Sequence, residues 1–272
     1  MRLVIKNKQK AEKFSHIFKH LKAFTDYITL YFNNEKLYAQ GMDSSHVGLF
    51  EINIQKDWFD EYSFDKDDIK SIALKTHILQ KVINTREENQ SIILEYSGSP
   101  DHLDVSFDSS FKEEYNKYFE LSLVELSVDL MSLEGHDCEA DMVFPTKKFS
   151  NLIEQHSIFN DNIQVYCSEE KIKFTTKGDE GEMNVDMDIN DLTEYAIEED
   201  KEITQSFSLT QLNIMCNFNK LSSEVIVGFG DDKPKLMKYI LEDVLYDEDD
   251  NIIDSNNYIR FFLAPRIMDD DE

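Results

Sequence analysis

The repeat that organises this chain is clearest in ITLYFNNEKL at residues 28–37, which returns as IQVYCSEEKI at residues 163–172. The triplet KFS at residues 13–15 recurs at residues 148–150. Both matches are separated by 135 residues, about half of the 272-residue chain. Because separate segments share one offset, the sequence predicts two similar structural units.

Helical periodicity opens the first unit. Its apolar residues recur at positions i, i+3, i+4 and i+7, which places them on one stripe of a helix. These residues are Phe14, Ile17, Phe18 and Leu21. A second helix is predicted over residues 76–84, with Ile78 among its inward residues, and its counterpart in the second unit over residues 210–217.

The other apolar segments of the first unit are short and rich in β-branched and aromatic residues. Turns containing Asn, Gly, Ser or Pro separate them, which is typical of antiparallel strands. The predicted strands cover residues 28–38, 47–54, 91–96 and 103–107. Each unit is therefore expected to be an antiparallel α+β domain with two helices on one face of its sheet.

Composition excludes several classes of protein. No apolar run approaches the roughly 18 residues of a membrane-spanning helix, and the start MRLVIK does not resemble a signal peptide. The three cysteines lie far apart and form no C-x-x-C pair, so neither a disulfide framework nor a zinc site is expected. Nucleotide-binding, hydrolase and metalloprotease motifs are absent, and Ile252 stands where a calcium loop needs glycine. We therefore expect no enzyme, cofactor or metal.

Charge is distributed unevenly along the chain. The formal net charge is −27, yet residues 1–22 contain seven lysines and arginines against the single acid Glu12. On the first helix, the side away from the apolar stripe carries Lys13, His16, Lys19 and Lys22. The second helix has Lys75 and Lys81, and the third begins with Lys147 and Lys148. Such a basic helical face favours contacts with phosphates, which position a protein without reading sequence.

Two motifs resemble a known family. MDSSHV at residues 42–47 and LAPRI at residues 263–267, followed by an acidic end, are similar to hallmarks of proliferating cell nuclear antigen (PCNA), the eukaryotic and viral DNA sliding clamp family. The resemblance implies two similar clamp domains per chain, at residues 1–126 and 142–272, joined by a connector at 127–141. It also implies that three chains form a pseudo-six-fold ring around duplex DNA, with sheets outside and helices inside.

The resemblance further implies a pocket for the PIP-box motif of DNA polymerase and other partners, and contact with a clamp loader. The residues that match this pocket are Met42, His46, Val47, Leu130, Met131, Leu133, Pro234, Phe262, Leu263, Ala264 and Pro265. The residues expected to contact DNA are Arg2, Lys13, His16, Lys19, Lys22, Lys81, Lys147 and Lys148. Glu154 and Asn217 depart from the basic residues of the family. Additional lysines are expected to compensate and to shift the phosphate track toward the first domain: Lys6, Lys8, Lys10, Lys19, Lys147 and Lys148.

Assembly and location follow from the same resemblance. Subunit contacts are expected between the strands at residues 118–124 and 182–188, whose unpaired edges need a neighbour. A homotrimer in the nucleus, or in a viral replication compartment, is the preferred reading. A monomeric or heterotrimeric clamp-like factor is the alternative. An acidic DNA-mimic protein is disfavoured because it has no need of basic helices.

Overall fold

The computed structural model describes residues 1–64, 71–98, 101–126, 129–133, 138–231, 233–243, 245, 247 and 253–267. Contacts divide the chain into two compact units. Unit 1 comprises Met1–Ser44, Phe50–Met131 and Ser255–Ile259. Unit 2 comprises Ser45–Leu49, Ser132–Asp254 and Arg260–Glu272. The predicted connector is described only at residues 129–133 and 138–141.

In the described part of the first half, eleven α-helices and strands follow one another. They are β1 (Arg2–Ile5), α1 (Lys8–Leu21), β2 (Tyr27–Phe32), β3 (Lys36–Met42), β4 (Gly48–Gln55), β5 (Glu61–Ser63), β6 (Ser71–Lys75), α2 (Thr76–Ile83), β7 (Ser91–Glu95), β8 (His102–Asp108) and β9 (Lys117–Ser122).

Eleven elements in the same order form the second half. They are β10 (Ala140–Pro145), α3 (Thr146–His156), β11 (Asn162–Cys167), β12 (Ile172–Gly178), β13 (Gly181–Met187), β14 (Glu194–Ile197), β15 (Ile203–Ser208), α4 (Leu209–Cys216), β16 (Glu224–Phe229), β17 (Lys235–Ile240) and β18 (Tyr258–Leu263). The predicted repeat and the α+β class are thereby confirmed.

Strand order repeats as well as element order. The first half has one run ordered β5-β1-β7-β8-β9 and another ordered β4-β3-β2-β6. The second half has the equivalent runs β14-β10-β16-β17-β18 and β13-β12-β11-β15. The pairings with a described register, which include β8 with β9 and β12 with β13, are antiparallel.

Local sequence features explain where α1 begins and which side chains of α1 and α2 are buried. The Asn7 side chain caps α1 by accepting a hydrogen bond of 3.1 Å from the Lys10 amide. The predicted stripe of Phe14, Ile17, Phe18 and Leu21 is fully buried. On α2 the prediction is only partly correct, because Leu79 and Ile83 are buried whereas Ile78 is 38% exposed.

Phenylalanine dominates both cores. In unit 1, Phe14 packs on Phe18 with ring centroids 4.8 Å apart. In unit 2, Phe144 packs on Phe149 at 4.9 Å. Phe149 and Phe14 occupy equivalent places in the repeat, so each unit builds its core around the same helix-borne ring. Among the described residues, no helix is both long and apolar enough to cross a membrane.

The two strands expected at subunit contacts lie where the sequence predicted an edge. β9 ends one run of unit 1 and β13 ends one run of unit 2. Tyr118 on β9 is 72% exposed, an unusual position for a large aromatic side chain. Unpaired strand edges of this kind are open to pairing with another chain.

Candidate functional site

Positive charge is concentrated in the helices. The four helices of the described residues contain seven lysines and two glutamates, in a chain whose net charge is −27. The lysines are Lys8, Lys10, Lys13, Lys19, Lys81, Lys147 and Lys148. The acidic residues of this protein are therefore carried mainly by strands and loops.

In unit 1 the two helices are held side by side. Gln80 Nε2 on α2 donates a 2.8 Å hydrogen bond to the backbone oxygen of Lys19 on α1. Lys19 and Lys81 have no acidic partner among the described residues. Lys22 is bound at 2.7 Å to Asp26, and this hydrogen bond lowers the pKa of the Asp26 carboxyl. Lys19 and Lys81 are thus the lysines of this pair of helices with the greatest freedom to meet a phosphate.

Arg2 does not belong with these lysines. It alternates along β1 with the buried Leu3, so the two side chains lie on opposite faces of the strand. Its guanidinium binds Glu95 at 2.9 Å and also contacts Glu61. Hydrogen bonding from Lys6, together with the charges of Lys6 and Arg2, lowers the pKa of Glu61. Arg2, which the family resemblance predicts to contact DNA, is thus paired with two carboxylates in this structure, and its contact with DNA stays a prediction.

His16 is also placed differently from the prediction. Its side chain is only 8% exposed, and its ring lies 4.3 Å from the ring of His20. The periodicity of α1 taken alone gives this position to solvent, but α2 packs beside α1 and covers part of that side. His16 is therefore a packed residue within unit 1.

The lysines of α3 are exposed and electrostatically unusual. Lys147 and Lys148 occupy the first turn, and no acidic residue accompanies them there. Glu154 lies in the last turn. Both arrangements oppose the helix dipole, which favours acids at the start and bases at the end. These lysines do not help α3 to form, so another role is needed to explain them.

Unit 2 contains a cavity of about 610 Å³ beside the end of β18. Four residues predicted for the partner pocket line it: Val47, Leu263, Ala264 and Pro265. Val47 is 40% exposed, and Ile267 extends the apolar wall with 94% of its surface exposed. Leu263 is buried and forms the floor. The exposed apolar surface gives this cavity the character of a binding site.

Hydrogen bonds fix the walls of this cavity. The Ala264 amide donates to the Val47 carbonyl at 2.9 Å. The Arg266 amide donates to the Ser206 carbonyl at 2.7 Å, and Arg266 Nη1 donates to Asn162 Oδ1. The segment after β18 is thus tied to β15, an edge strand of its run. A ligand would meet a wall that is already ordered, which lowers the entropic cost of binding.

The turn before Val47 has an unusual backbone. His46 has φ 56°, in the left-handed region, and its side chain is exposed. Non-glycine residues in this region carry a modest conformational cost and often occur at functional sites. Met42, which precedes this turn, is half-buried in unit 1.

The described part of the connector is tethered in unit 1. Gln40 Nε2 donates to the Met131 carbonyl at 3.1 Å, and the Met131 amide donates to Gln40 Oε1 at 2.7 Å. This pair of bonds leaves the Leu130 and Met131 side chains about half exposed. Leu133 is half-buried and belongs to unit 2.

The remaining predicted pocket residues do not line the cavity. Pro234 is exposed and follows a turn that Gln205 holds by donating to Gly230 at 2.8 Å and to Lys233 at 3.1 Å. Phe262 is buried, and the Arg260 guanidinium lies 5.1 Å from its ring centre. Gln40 and Gln205, which position the predicted residues, were not anticipated from sequence.

Further residues line the cavity but were not predicted from the sequence: Ser45, Asn162, Ser206, Ser208, Gln211, Arg266 and Ile267. The polar members come from strands and a helix far away in sequence, so no spacing pattern marks them. Ser45 lies within the first motif, and Arg266 and Ile267 lie within the second, so these three could have been included. Among the described lining residues, only Arg266 is ionisable. The wall therefore lacks the acid and base pair that proton-transfer catalysis usually needs.

Comparison with known proteins supplies the family. Residues 5–131 match the N-terminal domain of proliferating cell nuclear antigen, and residues 132–248 match its C-terminal domain. Proliferating cell nuclear antigen 1 of Plasmodium falciparum is 31% identical over 244 residues, covering 86% of each chain. Proliferating cell nuclear antigen 2 of Drosophila melanogaster is 28% identical over 243 residues, covering 89% of each chain.

Solved structures agree on the fold. The proliferating cell nuclear antigen of Entamoeba histolytica has a TM-score of 0.81 at 20% identity and covers 98% of both chains. The PCNA2–PCNA3 complex of Sulfolobus tokodaii has a TM-score of 0.81 at 23% identity, covering 98% of this chain and 99% of that one. Two matching domains, the repeated clamp fold and lysine-bearing helices together place this chain in the proliferating cell nuclear antigen family, as a DNA sliding clamp that serves as a processivity factor in replication.

Proposed function

We propose that three copies of this chain close into a homotrimeric ring through which duplex DNA passes. The observation that carries this proposal is the placement of seven lysines and only two glutamates on the helices of a chain with net charge −27. A closed ring holds DNA topologically, so its helices need to attract phosphates only weakly. An acidic remainder then reduces non-specific binding.

The proposed subunit contact joins β9 of one chain to β13 of the next. Beside β13, unit 2 has a groove of about 420 Å³, whose apolar walls include Phe144, Leu152, Val185 and Met187. Tyr118 on β9 is an exposed aromatic side chain of suitable size for such a groove. Pairing of the two strand edges, with aromatic insertion alongside, would make a head-to-tail contact that closes on itself after three copies.

Mass in solution tests the assembly. Light scattering on a sizing column should give three times 31.9 kDa, about 96 kDa. A species of 31.9 kDa at micromolar concentration would contradict the homotrimer and favour the monomeric alternative.

For the cavity of unit 2, we propose binding of the PIP-box motif of DNA polymerase and other partners. Val47, Leu263, Ala264 and Pro265 supply the apolar wall that an aliphatic or aromatic anchor requires. Met42, His46, Leu130, Met131, Leu133, Pro234 and Phe262 remain proposed members of the same site on family resemblance alone.

A fluorescent peptide containing Q-x-x-I-x-x-F-F tests this cavity. Val47→Asp places a charge against the apolar wall and should weaken binding at least about tenfold, since buried unpaired charge is costly. Ile158→Asp is the matched control, because Ile158 is also an exposed aliphatic residue of unit 2 but does not line the cavity. Equal weakening by both variants, or by neither, would contradict the assignment.

The proposed role is mechanical rather than catalytic, and it requires a clamp loader to open the ring on DNA. We further propose the nucleus, or a viral replication compartment, as the location. Imaging of a fluorescently tagged chain tests this, and exclusion from sites of DNA synthesis would contradict it.

A further inference from the structure

A histidine and two carboxylates meet on one face of the β8–β9 pair. His102 and Asp104 alternate with the buried Leu103 on β8, so both side chains lie on the opposite face. Glu120 on β9 stands directly across from Asp104 in the antiparallel register. One ligand atom from each of the three residues lies within 4.8 Å of the other two. Paired strands, rather than loops, hold this cluster together.

The electrostatics of the cluster are unbalanced. Like charges directly opposite each other on neighbouring strands are destabilising. Glu95 on β7 stands across from Asp104 on its other side, and Arg2 neutralises Glu95. Among the described residues, no lysine or arginine forms an ion pair with Asp104 or Glu120. A bound cation would relieve this repulsion.

We propose that His102, Asp104 and Glu120 bind a zinc ion. Zinc accepts imidazole nitrogen and carboxylate oxygen at about 2.0 to 2.2 Å, which puts donors of a tetrahedral site about 3.4 Å apart. His102 Nε2 and Asp104 Oδ1 are already 3.6 Å apart. Rotation of the exposed Glu120 side chain brings in the third donor, and water completes the shell.

The ligand set selects zinc over the common hard cations. Magnesium and calcium prefer shells made only of oxygen, whereas imidazole favours zinc and its transition-metal neighbours. No spacing pattern marks this site, because its ligands come from two strands that only the fold brings together. The cluster lies wholly within unit 1, so the zinc proposal does not depend on trimer formation.

The full-length protein, stripped of metal with a chelator, provides the test. Titration calorimetry with zinc chloride should show one site per chain with a Kd of about 1 to 10 µM, in the range of exposed three-ligand binding. His102→Ala, Asp104→Asn and Glu120→Gln should each weaken binding at least tenfold. The matched controls are His77→Ala on α2 and Glu170→Gln in the exposed turn between β11 and β12, which should bind zinc as the wild type does.

Circular dichroism checks that each variant is folded, which is expected because the three ligands are partly or fully exposed. Absence of saturable binding below about 100 µM zinc would overturn the proposal, since a formed site of this kind binds more tightly. Binding that survives His102→Ala, or that magnesium reproduces at equal concentration, would also overturn it. Either result would mean that zinc meets only a diffuse acidic surface.

Discussion

Lys235, at the start of β17, has its ammonium group enclosed by three phenylalanine rings. Nζ lies 5.0 Å from the ring centres of Phe149 and Phe229 and 5.4 Å from that of Phe207. The residue is 1% exposed, and the described part of the chain offers its Nζ no hydrogen-bond partner. The rings return part of the lost hydration energy through cation–π attraction. They do not replace the hydrogen bonds that water provides.

Burial lowers the pKa of Lys235 from about 10.5 to about 8. Between these values Lys235 binds more protons in the unfolded chain than in the folded chain, so the contribution of this lysine to stability should rise with pH across that window. The full rise amounts to about 3 kcal/mol. In the folded chain the nearby thiols of Cys167 and Cys216 stay protonated across this window, because burial raises the pKa of each to about 12. In the unfolded chain they ionise near their ordinary pKa of about 8.5, so they lower stability above that pH. The contribution of Lys235 is therefore the difference between the wild type and a variant that lacks this lysine.

We expect Lys235→Met to stabilise unit 2 at pH 7 by about 1 to 3 kcal/mol, because an apolar chain of similar length removes the buried charge. Urea unfolding of wild type and variant between pH 7 and 10.5 measures the effect, and the variant should lose the extra stability gained on raising the pH. Lys173→Met on β12 is the control and should change stability by less than about 0.5 kcal/mol. Destabilisation by Lys235→Met would contradict this, because it would show that the buried ammonium group stabilises unit 2.

At the level of single elements, the lysines at the start of α3 are proposed to bind DNA but do not stabilise the helix. Because Lys147 and Lys148 oppose the helix dipole, Lys147→Gln with Lys148→Gln should leave stability unchanged or raise it by up to about 1 kcal/mol. The same change should weaken DNA binding and lower the salt dependence of log K by about 2, the value for two lost phosphate contacts.

Fluorescence anisotropy on duplex DNA at several salt concentrations gives this slope, and clamp-dependent synthesis gives the functional effect. Lys173→Gln with Lys177→Gln on β12 removes the same charge from a strand and serves as the control. If synthesis and salt slope are unaffected by the α3 change, α3 does not contact phosphates.

The edge strand β9 makes a second prediction at this scale. Tyr118→Glu places a charge on an exposed position, so the isolated chain should remain as stable as the wild type within about 0.5 kcal/mol. The proposed trimer should nevertheless dissociate, because the charge enters a groove whose walls are partly apolar and which also contains Asp186 and Asp191, whose carboxylates repel it. Sedimentation velocity measures the change. Tyr27→Glu, at another exposed tyrosine of unit 1, should leave the trimer intact, and dissociation of both variants or neither would contradict the assigned edge.

The elements also show how far sequence reasoning reaches. The stripe from Phe14 to Leu21 was predicted correctly because helical periodicity and burial coincide along α1. His16 was predicted to face solvent but is buried, because α2 packs beside α1. Ile78 was predicted to be buried but is partly exposed, because it lies on a side of α2 that neighbouring elements cover only in part. The ion pairs of Arg2 could not be predicted from local sequence because its partners Glu61 and Glu95 are distant in sequence. Hydrophobic periodicity in the local sequence predicts helices and strands. Contacts between residues distant in sequence determine which side chains stay exposed and unpaired.

The candidate site divides in the same way. Val47 and the residues 263–265 were found from two local motifs, and the fold brings them to one cavity. Asn162 and Ser206 belong to that cavity only because the segment after β18 bonds to β15. No local sequence pattern in β11 or β15 predicts this contact.

On the scale of the whole molecule, a net charge of −27 makes simple electrostatic adhesion to DNA a poor explanation of function. Family membership and the basic helices point instead to encirclement, in which the ring is retained because it cannot pass a blocked end. Affinity measured on short duplexes should therefore be weak and should fall steeply with salt.

The most direct test of encirclement compares two linear duplexes of the same sequence, one with free ends and one with both ends blocked by streptavidin. Chemical cross-linking at low salt records the chain bound to each. We predict cross-linking to the duplex with free ends, over which a ring can thread, and its loss on the blocked duplex. Equal cross-linking to both would show that this chain binds the side of DNA and does not surround it.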